Sequence, residues 1–144
     1  MALPDNRISF LLDPPKPEAF VKLRSDCGWG EISRETAAAA LKRSIVDLTV
    51  FDGDRLIGMG RVVGDGVLYF YLQDIIVLPT HRKRSIGRQI VSKLLEETLA
   101  RAATGATIGL MSAKGKEAFY QNFGFQERPT DQLGSGMTQF VLSD

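Results

Sequence analysis

The chain is 144 residues long, the size of one domain with room for a substantial core. Its 44% hydrophobic and 24% charged residues are ordinary globular usage, and a formal net charge of +1 exerts no overall pull toward nucleic acid or an anionic membrane. No apolar run reaches membrane-spanning length, the N-terminus lacks a signal-peptide core, and Cys27 is the sole cysteine, so the expectation is a cytoplasmic protein without an intrachain disulfide.

Residues 8–12 read as a first strand, closed by Asp13-Pro14-Pro15. Phe20, Leu23 and Arg24, after Pro17-Glu18, predict a helix that stops at Cys27-Gly28-Trp29-Gly30. Cys27 reads as a small buried side chain rather than a nucleophile. Ser33 caps a second helix through residues 37–41, whose alanines give strong propensity but a thin apolar face. Residues 48–51 and 56–63 are strands joined by Asp52-Gly53-Asp54-Arg55, since Asp-Gly suits the positive φ angles of a tight hairpin. Gly58 and Gly60 in the return strand allow a close approach or a bulge. After Gly64-Asp65-Gly66, residues 69–77 form a third strand, completing an antiparallel meander. A long helix spans about residues 87–103, with Ile90, Val91, Leu94, Leu95 and Leu99 on its core face. Residues 108–111 form a short strand, parallel to residues 69–77 because a helix intervenes. A short helix over 117–123 ends at Gly124; residues 125–128 begin a strand, and residues 137–142 form the last one.

The third strand, the loop after it and the long helix organise the chain. Leu78-Pro79 ends the strand, because proline cannot donate to a ladder. His81-Arg82-Lys83-Arg84-Ser85-Ile86-Gly87 then leads into the helix. The first amides of a helix lack intrahelical partners, and its dipole favours an anion. Arg82, Lys83, Arg84 and Arg88 surround that point. The loop is neither a Walker A loop nor a dinucleotide fingerprint, since the required glycines are absent. Taken alone, it is either an anion site or a plain connection with a solvated basic face.

Residues 82–87, following Val77-Leu78-Pro79, resemble the pyrophosphate loop of the GNAT (Gcn5-related) N-acetyltransferases, Gln/Arg-x-x-Gly-x-Gly/Ala. Ser85 departs from the pattern, standing where the family usually has glycine; a positive φ there strains serine. Phe119-Tyr120-Gln121-Asn122-Phe123-Gly124-Phe125 is similar to that family's second motif, Phe-Tyr-x-x-x-Gly-Phe. The element order also resembles the GNAT arrangement over nearly the whole chain. The resemblance implies one α+β, three-layer domain over residues 1–144: a mixed, mostly antiparallel sheet with a splayed parallel strand pair, flanked by helices. It implies acetyl-CoA as donor and no metal. Its pantetheine arm pairs with the backbone of Ile75, Ile76 and Val77, and its pyrophosphate lies on Arg82, Lys83, Arg84, Ser85, Ile86 and Gly87, with Arg88 nearby. Ser112 and Phe119 are further cofactor contacts on the same grounds.

The implied reaction is acyl transfer from a thioester to an amine, with Tyr120 protonating the departing thiolate. Tyr120 as simple packing with Phe119 and Phe123 is the competing reading. Asp74 is a candidate base, or equally a salt-bridged carboxylate. Strand alternation lets only one of Gln73 and Asp74 face the substrate. His81 reads as a solvent or phosphate neighbour rather than the base. Trp29, Tyr71 and Gln73 are expected on the acceptor side, suiting a small apolar or aryl amine of the arylalkylamine kind. Acetylation of a protein lysine or N-terminus, and cofactor binding without catalysis, are the rivals. Nucleic-acid and membrane partners are not expected. The resemblance also allows a homodimer, through the last strand or an early helix.

Overall fold

Between residues 46 and 77, three runs of β-branched and aromatic residues alternate with Gly/Asp turns, and these runs pair as the predicted meander. The computed structural model describes residues 7–142. Strand β1 (Ile8–Leu11) is followed by helices α1 (Pro17–Asp26) and α2 (Arg34–Leu41). Strands β2 (Val46–Asp52), β3 (Arg55–Gly64) and β4 (Tyr69–Val77) come next, then α3 (Ile86–Arg101), β5 (Thr107–Gly109) and α4 (Glu117–Gln121). The sheet order is β1-β2-β3-β4-β5; every pairing is antiparallel except β4 with β5, as expected for a pair linked through a helix. The chain forms two compact units, Met1–Gly109 and Leu110–Asp144.

The sheet is covered on both faces. A Cβ placed on Gly60 would lie 2.8 Å from Ile90 and from Leu94 of α3, so this glycine exists to let helix and strand close up. Its neighbour Arg61 points the other way and reaches the end of α2, at Ala40 and Ser44. The core contains Phe20 and Leu23 of α1, Val50, Ile57, Met59 and Val62 of the meander, and Ile86, Ile90, Val91 and Leu94 of α3.

Four expectations are corrected. Leu99 is 66% exposed, and Thr98 takes the buried position on α3, its hydroxyl donating to the Leu94 carbonyl. That bond satisfies the one polar atom which would otherwise make threonine costly inside. Residues 125–128 and 137–142 are not strands. Their composition favours extended backbone, but a strand is defined by its partner, and residues 137–142 hydrogen-bond to none of the described residues. The third correction concerns β4, the fourth His81, and both bear on the candidate site.

Candidate active site

β4 pairs with β5 only from Tyr69 to Tyr71, opposite Thr107 to Gly109. From residue 72 to 77 it keeps its β3 partner but, among the described residues, has no strand on its other side. Splaying of the parallel pair therefore opens the strand edge where Ile75, Ile76 and Val77 lie. An open edge offers backbone donors and acceptors to an extended ligand. The Val77 carbonyl is already engaged: Arg82 Nε donates to it at 3.1 Å and the Cys27 thiol approaches at 3.9 Å. Burial pushes the Cys27 thiol upward, outweighing the nearby Arg82 guanidinium, so the group is a neutral thiol rather than a nucleophile.

Within β4 the register slips. Arg61 sits opposite Gln73 and Met59 opposite Ile76, so Asp74 and Ile75 share the single position facing Gly60. This is a β-bulge, and Asp74 holds φ 54° within it. Paired residues share a face, so Gln73 lies with Arg61 on the α2 side. Asp74 lies there too, because its carboxylate bonds Arg61 directly, whereas Ile75 turns toward α3. The expectation that alternation separates Gln73 from Asp74 is thus overturned: the bulge puts both on one face.

Asp74 is 3% exposed, and both its oxygens are taken. Arg24 Nη1 donates to Oδ1 at 3.0 Å and Arg61 Nε to Oδ2 at 2.8 Å. Of the two readings open for this residue, the salt-bridged one describes its geometry. Neither Arg24 nor Arg61 was singled out from sequence as a site residue. The available signal was a charged residue in an apolar strand, Arg61 between Met59 and Val62, which requires a buried counter-charge. Arg24 also donates Nη2 to the Trp29 carbonyl at 3.0 Å, and its guanidinium carbon lies 5.9 Å from the Trp29 ring centre. Trp29 and Gln73 are at least partly accessible, as is Tyr71.

After β4, Pro79–His81 makes one 3-10 turn, and the basic loop follows with Lys83 at φ 64° and Ser85 at φ 63°. Left-handed residues in a loop are the kind of backbone from which anion-binding nests are built. Ser85 is the N-cap of α3, yet its side chain makes no capping bond, and the first turn holds no acidic residue. The helix start is therefore not neutralised by its own side chains. Arg82, Lys83, Arg84 and Arg88 are all exposed, while Ile86 is buried as the anchor of the turn and Gly87 is half-buried. His81 differs from expectation. It is buried, with Nε2 2.8 Å from Asp52 Oδ2 and Nδ1 2.8 Å from the Thr80 hydroxyl, so it braces the β2–β3 hairpin rather than meeting solvent or phosphate.

In the second unit, Tyr120 lies on α4 in an aromatic cluster. Its ring is edge-on to Phe119 at 5.0 Å and to Phe125 at 6.2 Å, and Phe119 meets Phe123 at 5.4 Å. Gly124, at φ 90°, turns the chain so that the Phe125 amide reaches back to the Tyr120 carbonyl. Burial raises the Tyr120 phenol above its ordinary range, so it remains protonated well past neutral pH. The Ser112 hydroxyl donates to the neighbouring Ala113 carbonyl. Among the described residues no group of histidine, cysteine and carboxylate side chains is arranged to hold a metal ion. Among the described residues no helix is long and apolar enough to cross a membrane.

A mixed five-stranded sheet whose parallel β4–β5 pair separates after three residues, with a basic loop and a helix start beyond β4, is the arrangement of an acyl-CoA-type transferase fold. The profile of the acetyltransferase (GNAT) domain matches residues 46–127, spanning both compact units. The chain belongs to the GNAT acetyltransferases, a family of acetyl-CoA-dependent acyltransferases. A Staphylococcus aureus protein of unknown function, described as a probable acetyltransferase, superposes with a TM-score of 0.84 at 30% identity, covering 93% of this chain and 99% of that one. A GNAT-family acetyltransferase from Streptococcus pneumoniae superposes with a TM-score of 0.78 at 27% identity, covering 94% and 99%. In sequence, a probable acetyltransferase of Glycine max, TAP2, is 28% identical over 115 residues, 72% of this chain and 46% of that protein. The histone acetyltransferase TAP1 of the same plant is 27% identical over 113 residues, 71% and 48%. The chain thus spans about half the length of these curated relatives.

Proposed function

We propose that residues 1–144 form one N-acetyltransferase domain that moves the acetyl group of acetyl-CoA to a primary amine of a small molecule. The observation that carries this reading is the unpaired β4 edge leading directly into the basic loop and the uncapped start of α3. Such an arrangement fits an extended amide-bearing arm ending in a pyrophosphate. Ile75, Ile76 and Val77 would supply the backbone partners. The amides of residues 82–87, with the Arg84 and Arg88 side chains, would hold the phosphates, while Arg82 also braces Val77. Ser112 and Phe119 are further contacts in this reading.

The bound thioester supplies an activated acetyl group. The amine nitrogen attacks its carbonyl carbon; the C–N bond forms and the C–S bond breaks. Tyr120 donates its phenolic proton to the departing sulfur, and the ammonium proton leaves through water. A backbone N–H near Val77 polarises the carbonyl. Asp74 is assigned to structure, since two guanidinium groups occupy its oxygens. Trp29, Tyr71 and Gln73 receive the acceptor, and exposed aromatic surface at Trp29 favours an apolar or aryl amine. A free, neutral Cys27 thiol suits a cytoplasmic location. Met137, 89% exposed, and Val141, 101% exposed, lie in an uncharged segment without backbone partners among the described residues, which supports a homodimer contact there. Light scattering of Val141→Asp checks it: a dimer that persists would remove this segment as the contact.

The test is turnover with a panel of amines. Tyr120→Phe should lower kcat about a hundredfold while leaving acetyl-CoA binding intact. In the wild type the alkaline limb of kcat should appear only above the ordinary tyrosine range, about pH 10. Full activity of Tyr120→Phe removes the acid role, and tight acetyl-CoA binding without transfer to any amine removes catalysis. A protein acceptor is the second reading, favoured by similarity to a relative named a histone acetyltransferase. Transfer to a lysine peptide, with no turnover of free amines, would select it.

A further inference from the structure

The Arg24 side chain ties the loop that carries Trp29 to β4. Helix α1 ends in a Schellman arrangement: Trp29 N–H bonds the Arg24 carbonyl at 2.9 Å, Gly28 N–H bonds the Ser25 carbonyl at 3.1 Å, and Gly28 takes φ 74°. Arg24 then turns back on the same segment. Its Nη2 donates to the Trp29 carbonyl, and its guanidinium lies against the Trp29 and Phe20 rings. Its Nη1 meets Asp74 Oδ1 in the β4 bulge, 50 residues away in sequence. On the far side of the same carboxylate, Arg61 binds Asp74 with Nε, and with Nη1 binds the Ala40 carbonyl and the Ser44 hydroxyl.

We infer that Arg24 is a positioning residue for the acceptor, coupling the Trp29 loop to the β4 bulge so that ring and strand edge keep a fixed spacing. The inference rests on the acceptor reading above and narrows it, because it makes the Trp29 ring a rigid wall for an apolar or aryl primary amine. Arg24 is 19% exposed and Asp74 3%, so the pair is shielded from the screening that weakens surface ion pairs. The guanidinium fork is needed: one nitrogen serves the carboxylate and the other the Trp29 carbonyl, which an ammonium cannot match in plane. Arg61 performs the same service for the end of α2. One carboxylate at the bulge therefore ties both early helices to the strand that presents its edge. The coupling acts within the first compact unit and needs no residue of the second.

Trp29 is the only tryptophan, so its fluorescence reports this loop without labelling. Arg24→Lys keeps the charge and loses the fork. The expected result is lower Trp29 anisotropy and stronger acrylamide quenching, with far-UV circular dichroism unchanged. With the wild type's preferred amine, its KM should rise about tenfold while the KM for acetyl-CoA moves less than about twofold, the split a misplaced acceptor wall produces. Trp29→Phe should raise the acceptor KM as well, and the double variant should show less than the product of the two effects. Unaltered Trp29 fluorescence in Arg24→Lys overturns the coupling. Equal rises in both KM values, or fully multiplicative effects in the double variant, overturn its role in positioning the acceptor. If the wild type acetylates no amine, the proposed function fails, and the fluorescence result still decides the coupling. Should Arg24→Lys not fold, Asp74→Glu lengthens the same contact and is judged by the same fluorescence outcomes.

Discussion

Ser85 offers the sharpest perturbation of the basic loop. It holds φ 63° and ψ 12°, and its side chain makes no capping bond. An L-residue in this left-handed conformation costs about 1–2 kcal/mol relative to glycine. Glycine returns about 0.4–1 kcal/mol of that through the greater freedom of the unfolded chain. Ser85→Gly should therefore stabilise the protein by about 0.5–1 kcal/mol, raising Tm by about 2–4 °C for a chain of this size. Calorimetry reads the shift, and Ser85→Ala is the control, because it keeps the Cβ that causes the cost. The positive φ is present in the free protein, so the cost falls on free and bound states alike, and the Kd for CoA should move less than about twofold. A Ser85→Gly variant no more stable than wild type, or an equal gain in Ser85→Ala, would refute the reasoning. A Kd tightened about fivefold would show instead that the cofactor forces the loop into this shape, since that factor corresponds to about 1 kcal/mol.

Two other predictions follow from the first unit. Gly60→Ala puts a methyl group 2.8 Å from Ile90 Cγ2 and Leu94 Cδ1; it should destabilise by about 1–3 kcal/mol, measured by urea unfolding, and Leu94→Val, which removes the Cδ1 that the methyl meets, should cost less in that background than in the wild type. The His81 hydrogen bond, and then the Arg7 charge, hold the Asp52 carboxyl below its usual value. That contribution is complete above the unfolded carboxylate pKa, about 3.9, and is lost as pH falls through the lower folded value. Wild-type Tm should fall more steeply than that of Asp52→Asn below about pH 4, and parallel curves would dismiss the pair as a stabilising element.

Much of this fold was legible in the sequence because its signals are local. Asp52-Gly53 marks its hairpin, Pro17 and Ser33 mark their helix starts, and the helix between β4 and β5 dictates a parallel pair. What was not legible depends on pairing across the sheet. Whether Gln73 and Asp74 share a face is decided by how many residues stand opposite Gly60, which no pattern within β4 discloses. The exchange of Leu99 for Thr98 follows the same logic: hydrophobicity favoured leucine, but the phase of α3 against β3, set at Gly60, put threonine inside. Asp52 and His81 lie 29 residues apart and meet only because β3 folds back on β2 and on β4. The loop motif was readable as chemistry, yet the left-handed backbone at Lys83 was not, since nothing in lysine announces a positive φ.

The extra residue in β4 has a consequence for comparing this chain with its relatives. Before Asp74, the even-numbered residues of the strand turn toward α3; after it, the odd-numbered ones do. A relative lacking this residue would alternate regularly, and with a gap placed at Asp74 its side chains would face as Gln73 and Ile75–Val77 do; it would lose only the second α2-side position. Aligned without that gap, column-by-column identity beyond residue 74 would pair side chains that point in opposite directions. Transfer of acceptor preference between relatives should first ask whether both chains count the same number of residues from the Gly64 turn to Pro79.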